Sequence, residues 1–391
     1  MQNIQKLFFY SALALVSICN FAACSQGPSS DNSNKEQQVQ KSEKVKSCFY
    51  NNIAMFVAGM KPDTTAPFNE LIKKSSWVSY SKGFDTTWEK VKKNSLFKIK
   101  LWSDTELTEI NKETKTLFYP FSGPDFLYAT TFFPNAEKYI LFGLEKTGSI
   151  PDFKKLNNDN SLNNIFASIN KALEDILKLS FFKTIKMSSA LNNENIDGVL
   201  PVIMLFMART GNTIKDIRNA TIGIDGKVSV ADTFIVYKGN NRFGKGVEIT
   251  FSTYGNDTVN KKLFYFPEDF TDAALNQNPG CKAYLQNIDT NVTTFLKSAS
   301  YLLHNSLFVY IRNIILQKSK YLLQDDSGIA YRYFDKTKWK FQLYGTYEKP
   351  IQVFSYCYQS DLNAAYIAGA KPFNFKYGYG DGKNMLLVRR K

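Results

Sequence analysis

The chain has 391 residues, 44% hydrophobic and 15% aromatic, which supplies a substantial core and excludes a disordered or collagen-like protein. Lys and Arg number 49 against 35 Asp and Glu, a formal net charge of +14, yet only seven of those cations are arginine. Arg is the residue that grips phosphate with two parallel hydrogen bonds, and the one tight basic cluster is Arg389, Arg390, Lys391, so the charge reads as a solvated surface rather than a nucleic-acid patch.

Residues 1–23 have the plan of a signal peptide. A single charge, Lys6, precedes twelve mostly apolar residues from Leu7 to Ile18, too few to span a bilayer as a helix, which takes about 20. The segment ends Phe21-Ala22-Ala23-Cys24 and resembles a bacterial lipoprotein signal, in which two small residues precede a cysteine that takes palmitate-type acyl chains and becomes the new N-terminus. Phe21 stands where Leu is usual. Cys19 does not compete, because Ile18 before it is too large for the cleavage site. Residues 24–47 hold almost no large apolar side chain and read as a disordered tether. Ser25 after the acylated cysteine fits the sorting pattern for outer-membrane delivery in Gram-negative-type cells. Removing the signal deletes only Lys6, so the mature charge is +13.

The body, 48–391, reads as α+β: a helical N-terminal part, a central antiparallel sheet, and a long C-terminal helix followed by further strands. It is expected to be one globular body, with a possible subdomain break near 210–220. Helices are expected from 48 to about 115, with Asp85 capping one segment and Ser103 to Glu106 forming a capping box. Tyr119 to Asp125 is a turn-rich loop, and Tyr139 to Leu144 a buried strand. Leu162, Ile165, Phe166, Ile169, Leu173, Ile176 and Leu177 form an apolar helical stripe, and Val199 to Ala208 an all-round apolar core helix. Ala220 to Phe266 changes to strand period. Residues 290–323 carry the longest helical pattern, and IAYRYF, WKFQLYG and IQVFSY read as strands before a glycine-rich aromatic tail. Segregation of helices from strands argues against a doubly wound parallel sheet.

Three cysteines remain in the body. Cys48, Cys281 and Cys357 allow one disulfide and one thiol or three free thiols; Cys281 with Cys357 is the expected pair, because Cys48 borders the tether. No C-x-x-C is present, and His304, the sole histidine, excludes every two-His metal site, so neither metal nor cofactor is expected.

Three motif matches fail on chemistry. Gly239 to Gly246 imitates a phosphate-binding loop, but Gly246 replaces the hydroxyl residue and a strand follows, so no nucleotide is expected. Ser95-x-x-Lys98, Ser180-x-x-Lys183 and Lys146-Thr147-Gly148 imitate penicillin-binding enzymes without the middle motif. Asn193 to Gly198 begins like a calcium loop, but Met204 occupies its twelfth position. Four residues stay as candidates for a site: His304, at the border of an apolar helix face; Asp125, after a rigid Gly-Pro turn; and the adjacent Asp325 and Asp326. Each also has a structural reading as a cap, turn former or satisfied core-border group.

The segments Phe118 to Phe126, Phe132-Phe133-Pro134, Ser298 to Asn305 and Gln324 to Ile329 resemble an uncharacterised bacterial family whose members often carry export signals. The likeness covers about Trp77 to Leu387 and departs at Lys146, where the family has Pro after the glutamate. It implies one cooperative body and brings no activity with it. The expectation is a non-enzymatic, lipid-anchored envelope protein, held in the membrane through Cys24 and binding a polar envelope ligand but no nucleic acid. The alternative is a periplasmic hydrolase in which His304 and an aspartate act as acid and base.

Overall fold

Trp77, Tyr80, Phe84, Trp88 and Val91 recur every three or four residues and bury one face of helix α1 (Ser75–Val91). A π-helical turn, Lys92–Leu96, carries the chain on into α2 (Phe97–Glu106). The computed structural model describes residues 49–391 except 64, 154–155, 157, 194–195, 236–242 and 380–383. The signal segment, Cys24, the tether and Cys48 therefore lie outside the described residues. By contacts the chain divides into Met1–Ser42 and Glu43–Lys391, and the second unit holds every described element.

Neither expected cap in the first helices forms. Asp85 sits inside α1 and pairs with Arg209 Nη1 at 2.6 Å, while Ser103 sits inside α2 and donates to the Phe132 carbonyl at 2.7 Å. The apolar period continues through both positions, and one local signal does not outweigh two turns of buried side chains. Helices α3 (Phe126–Phe132), α4 (Asp159–Leu179) and α5 (Leu200–Arg209) follow. The expected stripe is the buried face of α4, and α5 is buried from Leu200 to Ala208.

The strands are β1 (Thr116–Tyr119), β2 (Lys138–Gly143), β3 (Asn212–Ile222), β4 (Val228–Val230), β5 (Lys245–Thr253), β6 (Asn256–Pro267), β7 (Val292–Leu296), β8 (Ser319–Gln324), β9 (Trp339–Gly345) and β10 (Asn384–Arg390). They form one mixed sheet in the order β4-β3-β5-β6-β2-β1-β7-β8-β10-β9. The α+β class holds, but the centre of the sheet differs from the antiparallel expectation. Strands β6, β2, β1, β7 and β8 run parallel, and the antiparallel pairings flank them. Around 210–220, α5 ends at Arg209 and β3 enters the sheet from Asn212.

Both faces of the sheet are covered, as a parallel centre requires. Tyr139 and Leu141 of β2 point into one core with side chains of α1, α4 and α5. Ile140 and Phe142 point into the other, with α6 (Asp272–Gln277), α7 (Pro279–Asn287), α8 (Val309–Lys318) and α9 (Ser360–Ala368).

The long helix expected over 290–323 is instead β7, two 3-10 turns (Leu302–His304 and Ser306–Phe308), α8 and β8. Ser298, Ser300 and Tyr301 between them have φ of 54°, 54° and 55°, which no helix accommodates. Two expected strands are likewise 3-10 helical, a single turn at Tyr331–Tyr333 and two turns joined at a kink at Phe354 in Gln352–Cys357, while WKFQLYG is β9 as expected. The tail supplies β10.

Candidate functional site

Parallel strands place all their C-terminal ends on one edge of the sheet, and in open sheets ligands bind there, where successive connections leave a strand in opposite directions. Here β2 lies on one side of β1 and β7 on the other, which makes the β1 and β7 ends that point. The loops leaving this edge carry Asp125 after β1, Glu145 after β2, Glu268 after β6, Lys297 to His304 after β7, and Asp325 with Asp326 after β8. All four residues singled out from sequence therefore gather on the same edge, though in two separate groups.

The first group closes the crevice between β1 and β7. Asp125 caps α3: its Oδ1 accepts from Tyr128 N at 3.0 Å, and its Oδ2 accepts from the Tyr119 hydroxyl at 3.0 Å. Lys297 Nζ lies 2.9 Å from the same Oδ2, with side-chain exposures of 1% and 2%. Its ammonium also donates to the Ser180 carbonyl and sits 4.1 Å from the Tyr128 ring centroid. Every direction around the ammonium is taken, so this pair fills the crevice as structure and offers no free acid or base.

The second group ties the loop after β7 to the loop after β8. Asp325 Oδ1 accepts from Ser327 N at 3.1 Å and Ser327 Oγ at 2.5 Å, and its Oδ2 accepts from Ser298 N at 3.1 Å. Asp326 Oδ2 accepts from the Tyr301 hydroxyl at 2.5 Å, and its Oδ1 accepts from Asn384 Nδ2 at 2.9 Å. Ala299 N donates to Ser327 Oγ at 2.8 Å, Tyr301 N to the Ser327 carbonyl at 3.1 Å, and Tyr379 OH to the Ser298 carbonyl at 3.0 Å. These bonds hold three non-glycine residues left-handed, at a cost of roughly 1 to 3 kcal/mol each. The aspartates follow a strand, not the helix expected from sequence; Asp325 clamps the main-chain amides of Ser298 and Ser327, and Asp326 holds the Tyr301 hydroxyl and the Asn384 side-chain amide.

Burial raises both carboxyls. Asp325 goes up to about 7, with the charge of Asp326 adding to the effect and the Ser327 and Ser298 bonds opposing it; for Asp326 the bonds from Tyr301 and Asn384 oppose the rise. His304 closes the 3-10 turn beside them. Its ring meets Tyr301 edge-on at 5.2 Å, and its Nε2 is buried with no hydrogen-bond partner. Burial pushes the imidazole down to about 4, and the charges of Arg332 and Arg312 act in the same direction. With backbone bonds at Asp326 and Gly328 opposing the fall, the ring is neutral at physiological pH. Ser298 Oγ is likewise buried and unpartnered.

Farther along the edge, Glu268 is raised to about 7 by burial, against bonds from Cys281 and Asn278, the latter at 2.6 Å. The expected Cys281–Cys357 disulfide is absent: both thiols are free. Cys281 is sealed on the buried face of α7 against Glu268, while Cys357 sits half-buried in the turn after β9, so the two belong to different contacts.

The rejected motifs are structural. Lys146 pairs with Asp197, Lys183 with Asp175 at 3.2 Å, and Asn193 to Gly198, where described, leads into α5. Residues 239–242 lie outside the described residues. A groove of about 870 Å³ runs between α1 and α4, lined by Ser79, Gly83, Thr87, Asn163 and Asn170, and none of the four candidates lines it. Among the described residues, no three His, Cys, Asp or Glu side chains are grouped to hold a metal ion. Lys297, Ser298 and Tyr301 escaped the sequence reading. The signal available was VTTFL read as a strand, which puts them at a strand end.

Compared with models of known protein families, with curated proteins and with solved structures, the chain finds no match in any of the three.

Proposed function

We propose that this chain is a lipid-anchored envelope protein whose body binds a polar envelope ligand at the ends of β7 and β8. The observation that carries the reading is the left-handed Ser298–Tyr301 segment, clamped by two buried aspartates beside a neutral His304 whose Nε2 has no partner. Backbone strain persists where surrounding bonds over-determine it, and such segments cluster at ligand sites. The ring nitrogen and the Ser298 hydroxyl are both buried without partners, and a hydroxyl-rich molecule that reaches them would satisfy both. The Phe21-Ala22-Ala23-Cys24 pattern and the polar residues after it support the anchor and an outer-membrane address.

Two measurements test this. Thermal melts of the Glu43–Lys391 unit with soluble peptidoglycan and lipopolysaccharide-core fragments should show a rise in Tm that His304→Gln abolishes. Failure of every fragment to stabilise the wild type, or equal stabilisation of the variant, overturns the binding reading. Fatty-acid labelling in cells should mark the wild type and not Cys24→Ala, and equal labelling overturns the anchor.

A second reading is the hydrolase, in which His304 serves as base. The unpartnered Nε2 favours it. Against it, the oxygens of Asp325 and Asp326 already accept bonds from their own loops, which leaves them poorly placed as a free acid. Turnover of the same fragments, lost in His304→Gln while binding persists, would decide for the enzyme.

A further inference from the structure

Beside the strand-end site, the 3-10 segment Gln352–Cys357 contains no buried side chain. Val353 is 76% exposed and Tyr356 79% exposed, with Tyr358 just beyond at 48%. The turn is nevertheless firmly backed. Phe354 packs on Tyr301 at 4.9 Å and on Tyr379 at 5.9 Å between ring centroids, and Tyr356 leans on Phe354 at 6.3 Å. Tyr358 stacks on Tyr347 at 6.4 Å. Exposed apolar groups held side by side on a packed turn make a patch of the kind that marks an interaction site.

Charge lies next to them. Arg332 is exposed, its guanidinium 4.8 Å from the Tyr333 ring centroid and 3.3 Å from that hydroxyl, and it pairs with no carboxylate among the described residues. Contacts link it to the turn: the Tyr333 hydroxyl donates to the His304 carbonyl at 3.2 Å, and the His304 ring meets Tyr301, on which Phe354 packs. The chain as a whole carries +14.

We propose that the turn from Gln352 to Tyr358, with Arg332, seats the body on a phospholipid surface, Val353 and Tyr356 entering the headgroup layer and Arg332 meeting lipid phosphate. The patch has three exposed apolar or aromatic side chains on one turn and the residue after it, a smaller feature than the roughly 800 Å² per partner that a stable protein interface needs. Tyr has an apolar ring and a polar tip, the combination favoured at membrane–water interfaces. An unpaired Arg suits phosphate, and a net positive body is attracted to anionic lipid. This contact is independent of acylation at Cys24, and it would turn the β7 and β8 ends toward the membrane.

The Glu43–Lys391 unit, which holds every described element and lacks Cys24, provides the test. Flotation is measured with vesicles of phosphatidylcholine alone and of equal parts phosphatidylcholine and phosphatidylglycerol. Binding is expected to the mixed vesicles, weakened about tenfold by Val353→Ser with Tyr356→Ser and weakened, with a smaller salt dependence, by Arg332→Gln. The replaced side chains are exposed, so unchanged melting temperatures are expected and would show that the variants fold. Absence of wild-type binding, equal binding by the double variant, or self-association through the turn in sedimentation without vesicle binding each overturns the proposal. Saccharide binding measured without vesicles is a separate readout, so the two proposals fail separately.

Discussion

Lys297 Nζ stands 2.9 Å from Asp125 Oδ2 with both side chains sealed, and the pair occupies the crevice between β1 and β7 where a fold of this kind would otherwise admit a ligand. The unpartnered buried atoms, Ser298 Oγ and His304 Nε2, lie one strand over, in the loop after β7.

A buried pair is costly to break from one side. Lys297→Met should lower stability by about 3 to 5 kcal/mol, because it strands a carboxylate out of water. Adding Asp125→Asn, which keeps a capping oxygen for α3, should restore part of that loss. Urea unfolding followed by circular dichroism measures the coupling, and strict additivity of the two changes would contradict the pairing.

His304 titrates at about 4 in the folded protein against 6.5 for an ordinary imidazole. The folded state therefore binds fewer protons between these values, and stability contributed by the neutral ring falls as pH drops from about 6.5 toward 4. His304→Gln has no such group. Its stability relative to wild type should improve by about 3 kcal/mol between pH 7.5 and pH 4. A pH-independent difference in urea midpoints would show that the imidazole is not held neutral.

Gly378 has a φ of +67°, and a Cβ there would collide with Asp325 Oδ2, the oxygen that receives Ser298 N. Gly378→Ala should cost at least about 2 kcal/mol, combining backbone strain with displacement of the clamp. Gly255→Ala is the matched control, at φ +81° with no atom within 4 Å of the added carbon, and should cost only about 1 kcal/mol. Equal losses in thermal melts would mean that strain alone operates.

The thiols should separate by burial. Cys357 should react with iodoacetamide in the native protein, whereas Cys281, fully buried and pushed up by its surroundings, should react only after unfolding. Peptide mass spectrometry without reductant reads both this order and any Cys281–Cys357 crosslink, which should be absent.

Much of the helical half was legible because amphipathic stripes are local. Leu162 to Leu177 repeat at helical spacing on one buried face and became a helix, and the helices expected from 48 to about 115 include the one from Ser75 to Val91. The sheet was harder. VTTFL in β7 is buried at every position, so it shows no alternation, and together with α8 and β8 it imitates one long helical stripe. The parallel centre depends on pairings between distant segments such as β1 and β7, which no window of sequence displays. Asp125, His304, Asp325 and Asp326 were found because acids and the sole imidazole are conspicuous. What sequence could not show is that Asp125 faces a lysine while Asp325 and Asp326 face amides and hydroxyls, since Lys297 became visible only at the end of β7.

Strand β10 lies between β8 and β9, and its first residue, Asn384, accepts from Asp326 N at 2.8 Å while donating to the same residue's carboxylate. In the order of synthesis this strand comes after everything it joins. Until it arrives, β9 lacks its strand partner and one side of β8 stays open, so the nascent body has an unsealed edge and an aspartate without its amide. Closure of the sheet and completion of the site are one late event, and a chain released before Asn384 would lose both together.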